Sequence, residues 1–174
     1  MTVLAKPVGG GYPLAVLGGR KDIMQVIGME RMHDKICVAG STSGHPLGIT
    51  AGLAVARELE KGDYYRHVQE LTLMAVEGLK SVFADAGVPC RITGDIYGIW
   101  RGFWTHFTDK IPRNSRDTYK TDLIKLLNFY VGMISQGIFM SPTGAPSVSG
   151  AHTREDINLM LEAAARVLMD MKSS

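Results

Sequence analysis

The sequence predicts a mixed chain, of a class running from α/β to α+β. Three observations carry that expectation. From residue 63 onward, helical apolar periodicity alternates with short β-forming runs, in the order helix, strands, helix, strands, helix. Residues 1–60 are rich in glycine and small residues, with room for a strand, a helix and a loop but too little chain to enclose a core. Hydrophobic residues make up 45% of the 174 positions, enough for one real core. The expected division is therefore 1–60, the tail of something larger, and 61–174, a small α+β domain with helices on one face of a small sheet.

The elements follow in order. The stretch "PLAVLGG" is apolar and bounded by glycines, which suits a buried strand. "RKDIMQVI" is a short helix with Asp22 in its first turn. "CVAGSTSGHP" is a small-residue loop, and "PLGITAGLAVARELEKG" a long helix with Pro46 in its first turn and Gly62 at its end. Asp63 can cap the next helix, whose Val68, Leu71, Val76, Leu79 and Phe83 share one face and which Gly87 ends. "PCRITGDIYGIWRGFWTHF" reads as two strands joined near Gly94–Asp95, or as one strand with a bulge. "TYKTDLIKLLNFYVGMISQG" is a helix ending at Gly137. "IFMSP" is a short strand, and "SVSGAHT" a strand running into a cap. Thr153 and Asp156 have capping-box spacing ahead of the last helix, with Ile157, Met160, Leu161, Ala164 and Leu168 as its buried stripe.

Charge and cysteine content exclude several classes of function. Nineteen basic against seventeen acidic residues give a net charge of +2, no electrostatic reason to expect nucleic acid or an anionic membrane. Cys37 and Cys90 are far apart and form no metal-type pair. The expected setting is reducing and cytoplasmic. No apolar run approaches membrane-spanning length, and the N-terminus has no apolar signal core.

Two segments carry chemistry. Lys6 stands just ahead of Gly9, Gly10 and Gly11, and glycine lets a ligand approach the backbone closely. A lysine buried there would lose ammonium character and become a nucleophile toward carbonyls, the basis of Schiff-base chemistry. On residue type alone, the commoner reading is a surface lysine before a turn. The lysine precedes the glycines and no GK[ST] follows, so this is no Walker loop. The second segment is "AGSTSGHP": Gly40 to Gly44 supply N–H groups and hydroxyls ahead of a helix, as an anion site does. A capping Ser/Thr loop has the same composition.

Together these segments resemble class III aminotransferases, fold-type I enzymes that use pyridoxal phosphate, above all glutamate-1-semialdehyde 2,1-aminomutase-like proteins. The resemblance runs from Lys6 to about Met169. Its most specific part is K-x-x-G-G-G-x-P, followed by the G-[ST]-x-S-G-[NH]-P loop and the late A-H-T-x-E-D-I run. It implies that the chain is the C-terminal part of such a subunit, the end of the large domain with its linking helix (1–60) and the small domain (61–174). Lys6 then matches the lysine that forms the internal aldimine and shuttles the substrate proton. Gly40 and Ser41 match a Gly-Thr pair that reaches the cofactor phosphate of the neighbouring subunit in a homodimer; serine keeps the hydroxyl and loses a methyl. The substrates implied are an amino acid or amine and a carbonyl compound. Where the aminomutase has a glutamate-bearing stretch, this chain has "FMSPTGAPSVSGAHT", with no acidic residue.

The resemblance also implies what lies elsewhere. The family's Asp for the pyridine nitrogen, its stacking aromatic ring and most of its phosphate loop precede the lysine, so the expectation is that the 174 residues alone are catalytically incompetent. Residues 1–55 are expected to expose apolar edges. Arg91 and Arg101 are candidates to grip a substrate carboxylate, though a solvated strand-edge arginine fits each. His45 and His152 read as capping or packing residues, and Trp100, Phe103 and Trp104 as sheet packing. Two other readings are a non-catalytic α+β interaction and dimerisation fragment that binds no cofactor, and an anion-binding module built on residues 40–46.

Overall fold

The computed structural model describes residues 1–27, 36, 38–94, 102–141 and 145–173. The chain forms two compact units, Met1–Asp63 and Tyr64–Ser174.

In the first unit, β1 (Thr2–Leu4) pairs antiparallel with β2 (Val16–Gly18), in the register Thr2 with Gly18, Val3 with Leu17 and Leu4 with Val16. The expected strand exists, but it is not buried: Val16 is 41% exposed. A two-stranded ladder of three pairs has too little surface to cover its own side chains. A single 3-10 turn, Lys6–Gly9, interrupts the chain between the strands. The short helix α1 (Lys21–Met24) forms where expected, with Asp22 in its first turn and paired to Arg20. Helix α2 (Pro46–Glu60) starts on Pro46, whose missing N–H costs nothing there, and Gly62 follows its end at φ 78°. Val3, Leu4, Val38, Leu47, Ile49 and Leu53 are all exposed.

The second unit holds the core. Helix α3 (Asp63–Asp85) buries Val68, Leu71, Val76, Leu79 and Phe83, the predicted face. Full burial of each such side chain contributes about 1.5–3 kcal/mol. Phe83, Phe107 and Phe129 meet with ring centroids 5.3–5.8 Å apart. Strands β3 (Arg91–Gly94) and β4 (Phe103–His106) form an antiparallel ladder from Arg91 opposite His106 to Gly94 opposite Phe103. The reading of two strands rather than one bulged strand therefore holds, while the joining residues 95–101 lie outside the described set. A short helix, α4 (Ser115–Thr118), was not foreseen; Asn114 caps it by accepting from the Asp117 N–H at 3.2 Å.

Helix α5 (Leu123–Ser135) begins at an Asp122 cap and buries Phe129, Tyr130 and Met133. It packs on α6 (Arg154–Ser173) at a glycine, since a Cβ built on Gly132 would lie 2.5 Å from Cγ1 of Val167. The predicted stripe of α6 is buried at Ile157, Met160, Ala164 and Leu168, while Leu161 is half-buried against Gly78 of α3.

Two strand expectations fail. Residues 138–141 and 147–149 form no strand; among the described residues Ser147 makes an isolated bridge to Gly102, and beside it the Phe103 N–H donates to the Pro146 carbonyl at 3.0 Å. Met140 is buried and Phe139 is 81% exposed, so the alternation is present without a ladder beside it.

Candidate functional site

Lys6 opens the 3-10 turn with φ 58°, the one non-glycine residue with positive φ among the described residues. A side chain pays steric strain in that left-handed region, and such residues gather at active sites. Around it the turn is closed locally. Ala5 is extended, Pro7 pre-sets the turn, the Gly10 N–H donates to the Pro7 carbonyl at 3.0 Å, and the Tyr12 N–H donates to Gly9 at 3.0 Å. Gly10 and Gly11 take φ 57° and 96°. Lys6 itself is exposed, so the burial that would make its amine nucleophilic is not present in the chain. Among the described residues, no carboxylate forms an ion pair with it.

The turn rests on α2. A Cβ on Gly10 would lie 3.2 Å from Cγ2 of Val55 and 3.7 Å from Cβ of Ala51. A Cβ on Gly9 would lie 3.0 Å from Cβ of Leu14, whose side chain fills the space over Gly52. The three glycines therefore do different jobs: Gly9 admits Leu14, Gly10 admits the helix, and nothing lies within 4 Å of a Cβ on Gly11.

Residues 41–44 form an exposed turn just ahead of α2. Part of the expected N–H supply is spent inside it, because the Ser43 N–H donates to Gly40 at 2.9 Å and the His45 N–H to Thr42 at 3.2 Å. Gly40 and Ser41 are exposed, and no hydrogen bond among the described residues engages the Ser41 hydroxyl. Nor does any bond there join Lys6 to Gly40 or Ser41; the atom nearest a Cβ on Gly40 is the Ser43 hydroxyl, at 3.5 Å.

The remaining candidates divide. His45 occupies the N-cap position of α2 but makes no side-chain capping bond, so the capping role does not hold. Cys37 and the residues from 95 to Arg101, Trp100 among them, lie outside the described residues. Arg91 is exposed at the start of β3 and donates to the Cys90 carbonyl at 3.0 Å. Phe103 packs in the core, whereas Trp104 is 37% exposed. His152 orders the approach to α6: its Nδ1 accepts from the Ser149 N–H at 3.0 Å, and its carbonyl lies 2.9 Å from Nε2 of His67.

Sequence reasoning missed the buried polar groups of the second unit. Thr93 Oγ1 lies 2.7 Å from Nε2 of His106, and Thr105 Oγ1 lies 3.1 Å from the Tyr130 hydroxyl. Burial pushes His106 down and Tyr130 and Cys90 up, Cys90 to about 11. Cys90, Thr93, Thr105 and His106 were hidden within a β-forming stretch and Tyr130 within an amphipathic helix, and both stretches read as packing. A cleft of about 540 Å³ in the same unit is lined by Phe103, Ile138, Met140, Val148 and Met160, with His152 at its wall. No group of three His, Cys, Asp or Glu among the described residues could hold a metal, and no helix there is long and apolar enough to cross a membrane.

Comparison with known proteins covers nearly the whole chain. No protein-family model matches it. A glutamate-1-semialdehyde 2,1-aminomutase from Desulfatibacillum aliphaticivorans is 31% identical over 175 residues, spanning 98% of this chain and 39% of that protein. The β-phenylalanine aminotransferase of Variovorax paradoxus superimposes with a TM-score of 0.83 at 22% identity, over 98% of this chain and 38% of that one. The FumI protein of Sphingopyxis, solved in its pyridoxal phosphate internal aldimine form, gives 0.80 at 19%, over 98% and 36%. The chain thus spans about two fifths of the length of the proteins it matches.

Proposed function

The chain has the fold of the C-terminal part of a fold-type I pyridoxal-phosphate transferase subunit and is a sequence relative of class III aminotransferases; from that premise we propose that it belongs to an enzyme moving an amino group between an amino acid or amine and a carbonyl compound, with Lys6 as its reactive amine. The observation that carries the proposal is the backbone of Lys6. A lysine held at φ 58°, three residues ahead of the first of three glycines, is an arrangement that a surface lysine does not need.

The residues present fit the cofactor. Lys6 offers an exposed amine, ion-paired to none of the described carboxylates, beside a turn with open space over Gly11. Gly40 and Ser41 offer an exposed backbone and hydroxyl for a phosphate, which in the proposed homodimer belongs to the neighbouring subunit's cofactor. When bound, pyridoxal phosphate supplies an aldehyde for a lysine amine and an electron sink for the bond broken at the substrate carbon. Lys6 Nζ supplies the amine and carries the proton to and from that carbon. Residues 1–60 are the tail of the cofactor-binding domain with its linking helix, 61–174 the small domain, and the enzyme is cytoplasmic.

The test is chemical. The 174-residue chain is treated with pyridoxal phosphate, reduced with borohydride and mapped by mass spectrometry. An adduct concentrated on Lys6 and lost in Lys6→Ala is expected; labelling spread over the surface lysines overturns the assignment.

A second reading has its own observation: the buried core cluster lies wholly between Leu71 and Leu168, in the second unit. That unit alone would serve as a non-catalytic interaction and dimerisation module. A soluble dimer in size-exclusion chromatography, with no Lys6 adduct, favours it.

A further inference from the structure

Resting on the proposed role of Lys6, we propose that Gly52 and Leu14 are its positioning residues: a leucine knob seated in a glycine notch sets the depth at which the reactive turn lies on α2.

The notch is on one face of the helix. Positions 48, 51, 52 and 55 follow the i, i+3, i+4, i+7 spacing that places side chains together. Gly48 and Gly52 are the two buried residues of α2. Glycine weakens a helix interior relative to alanine, so two of them one turn apart on the buried face mark a packing demand. What fills the space is Leu14. A Cβ on Gly52 would run into Cδ2 of Leu14, and a Cβ on Gly48 would lie 3.9 Å from Cβ of Leu14 and 3.6 Å from the Pro13 carbonyl.

The same notch touches the turn directly. The Cβ on Gly52 would also lie 3.3 Å from the carbonyl oxygen of Val8, inside the Lys6–Gly9 turn. Leu14 meets the other end of the turn, with its Cβ 3.0 Å from a Cβ on Gly9. A methyl at position 52 therefore displaces Leu14, the Val8 carbonyl, or both. Movement of the Val8 carbonyl passes to Lys6 through the closed backbone of a four-residue turn, and a displaced Leu14 bears on the same turn where its Cβ and backbone pack on Gly9. Displacements near an ångström at a reacting group cost up to about a hundredfold in rate.

The test is Lys6 labelling by pyridoxal phosphate and borohydride in four chains, with helix content followed by circular dichroism. In wild type the label concentrates on Lys6. In Gly52→Ala it falls by about tenfold or more, with helix content retained. In Gly52→Ala/Leu14→Val, which removes the δ-carbons that the new methyl meets, labelling returns to within about twofold of wild type. In Gly18→Ala, where nothing lies within 4 Å of the added Cβ, labelling is unchanged. Wild type without Lys6 preference overturns the Lys6 reading itself, and the positioning proposal with it. Preserved labelling in Gly52→Ala overturns only the positioning proposal. Loss without rescue in the double variant overturns Leu14 as the partner. Loss in Gly18→Ala as well shows a general effect of substitution and overturns the notch.

Discussion

The Thr93 hydroxyl sits 2.7 Å from Nε2 of His106, diagonally across the β3–β4 ladder, and His106 is only 6% exposed. Burial pushes this imidazole below its ordinary value of 6.5. The unfolded chain therefore takes up the proton first as pH falls. The stability that neutral His106 allows is complete above about 6.5 and is lost progressively below it. Urea midpoints are expected to drop from pH 7.5 to pH 5.5, with a smaller drop in His106→Gln. Equal drops in both chains would place the sensitivity elsewhere.

At the start of α6, Thr153 and Asp156 cap each other. Asp156 Oδ2 accepts from the Thr153 N–H at 2.8 Å, and the Asp156 N–H donates to Thr153 Oγ1 at 3.2 Å. Thr153→Ala should cost about 1 kcal/mol in chemical denaturation. The Asp156 carboxyl is held below its ordinary 3.8, first by the Thr153 backbone N–H and then by the Thr153 hydroxyl. Its contribution is complete above that value and disappears as pH falls below it. In Thr153→Ala the Asp156 carboxyl, followed by NMR, is expected to titrate at higher pH than in wild type.

Gly132 faces Val167 where α5 meets α6, and a β-branched side chain has few rotamers with which to give way. Gly132→Ala is expected to destabilise by about 1–3 kcal/mol, although alanine favours helix. Adding Val167→Ala should recover part of the loss, as a double-mutant cycle would show.

Burial raises the Cys90 thiol to about 11. At pH 8 its thiolate is scarce, and the gain in intrinsic nucleophilicity offsets only part of that. In a Cys37→Ser chain, Cys90 should react with iodoacetamide more than about tenfold slower than free cysteine. Reaction at the free-cysteine rate would mean that the thiol is open to solvent.

The sequence made the long helices legible because their apolar residues repeat at helical spacing, and glycines follow the ends of α2, α3 and α5. Val68, Leu71, Val76, Leu79 and Phe83 on α3, and Ile157, Met160, Ala164 and Leu168 on α6, are buried as their periodicity requires, with Leu161 half-buried. It was less informative about strands. Ile138–Ser141 has β-formers and alternation, but a strand exists only beside a partner, and pairing depends on chain distant in sequence. At the candidate site, the glycines behind Lys6 were visible while their seat was not. Leu14 read as one more residue of an apolar strand, and Gly52 as one more position within a long helix. Their relation is set by how the turn meets α2, which no local pattern encodes.

The left-handed backbone of Lys6 also decides how its amine should be removed. Lys6→Ala deletes the amine but keeps a Cβ where backbone sterics oppose it, whereas Lys6→Gly deletes both. The glycine variant should be the sturdier by about 1 kcal/mol. If Lys6 is the reactive amine proposed above, durability and reactivity are in direct competition at one position. Selection for stability alone would favour glycine at position 6, so under the proposed role it is the amine that would hold a lysine there.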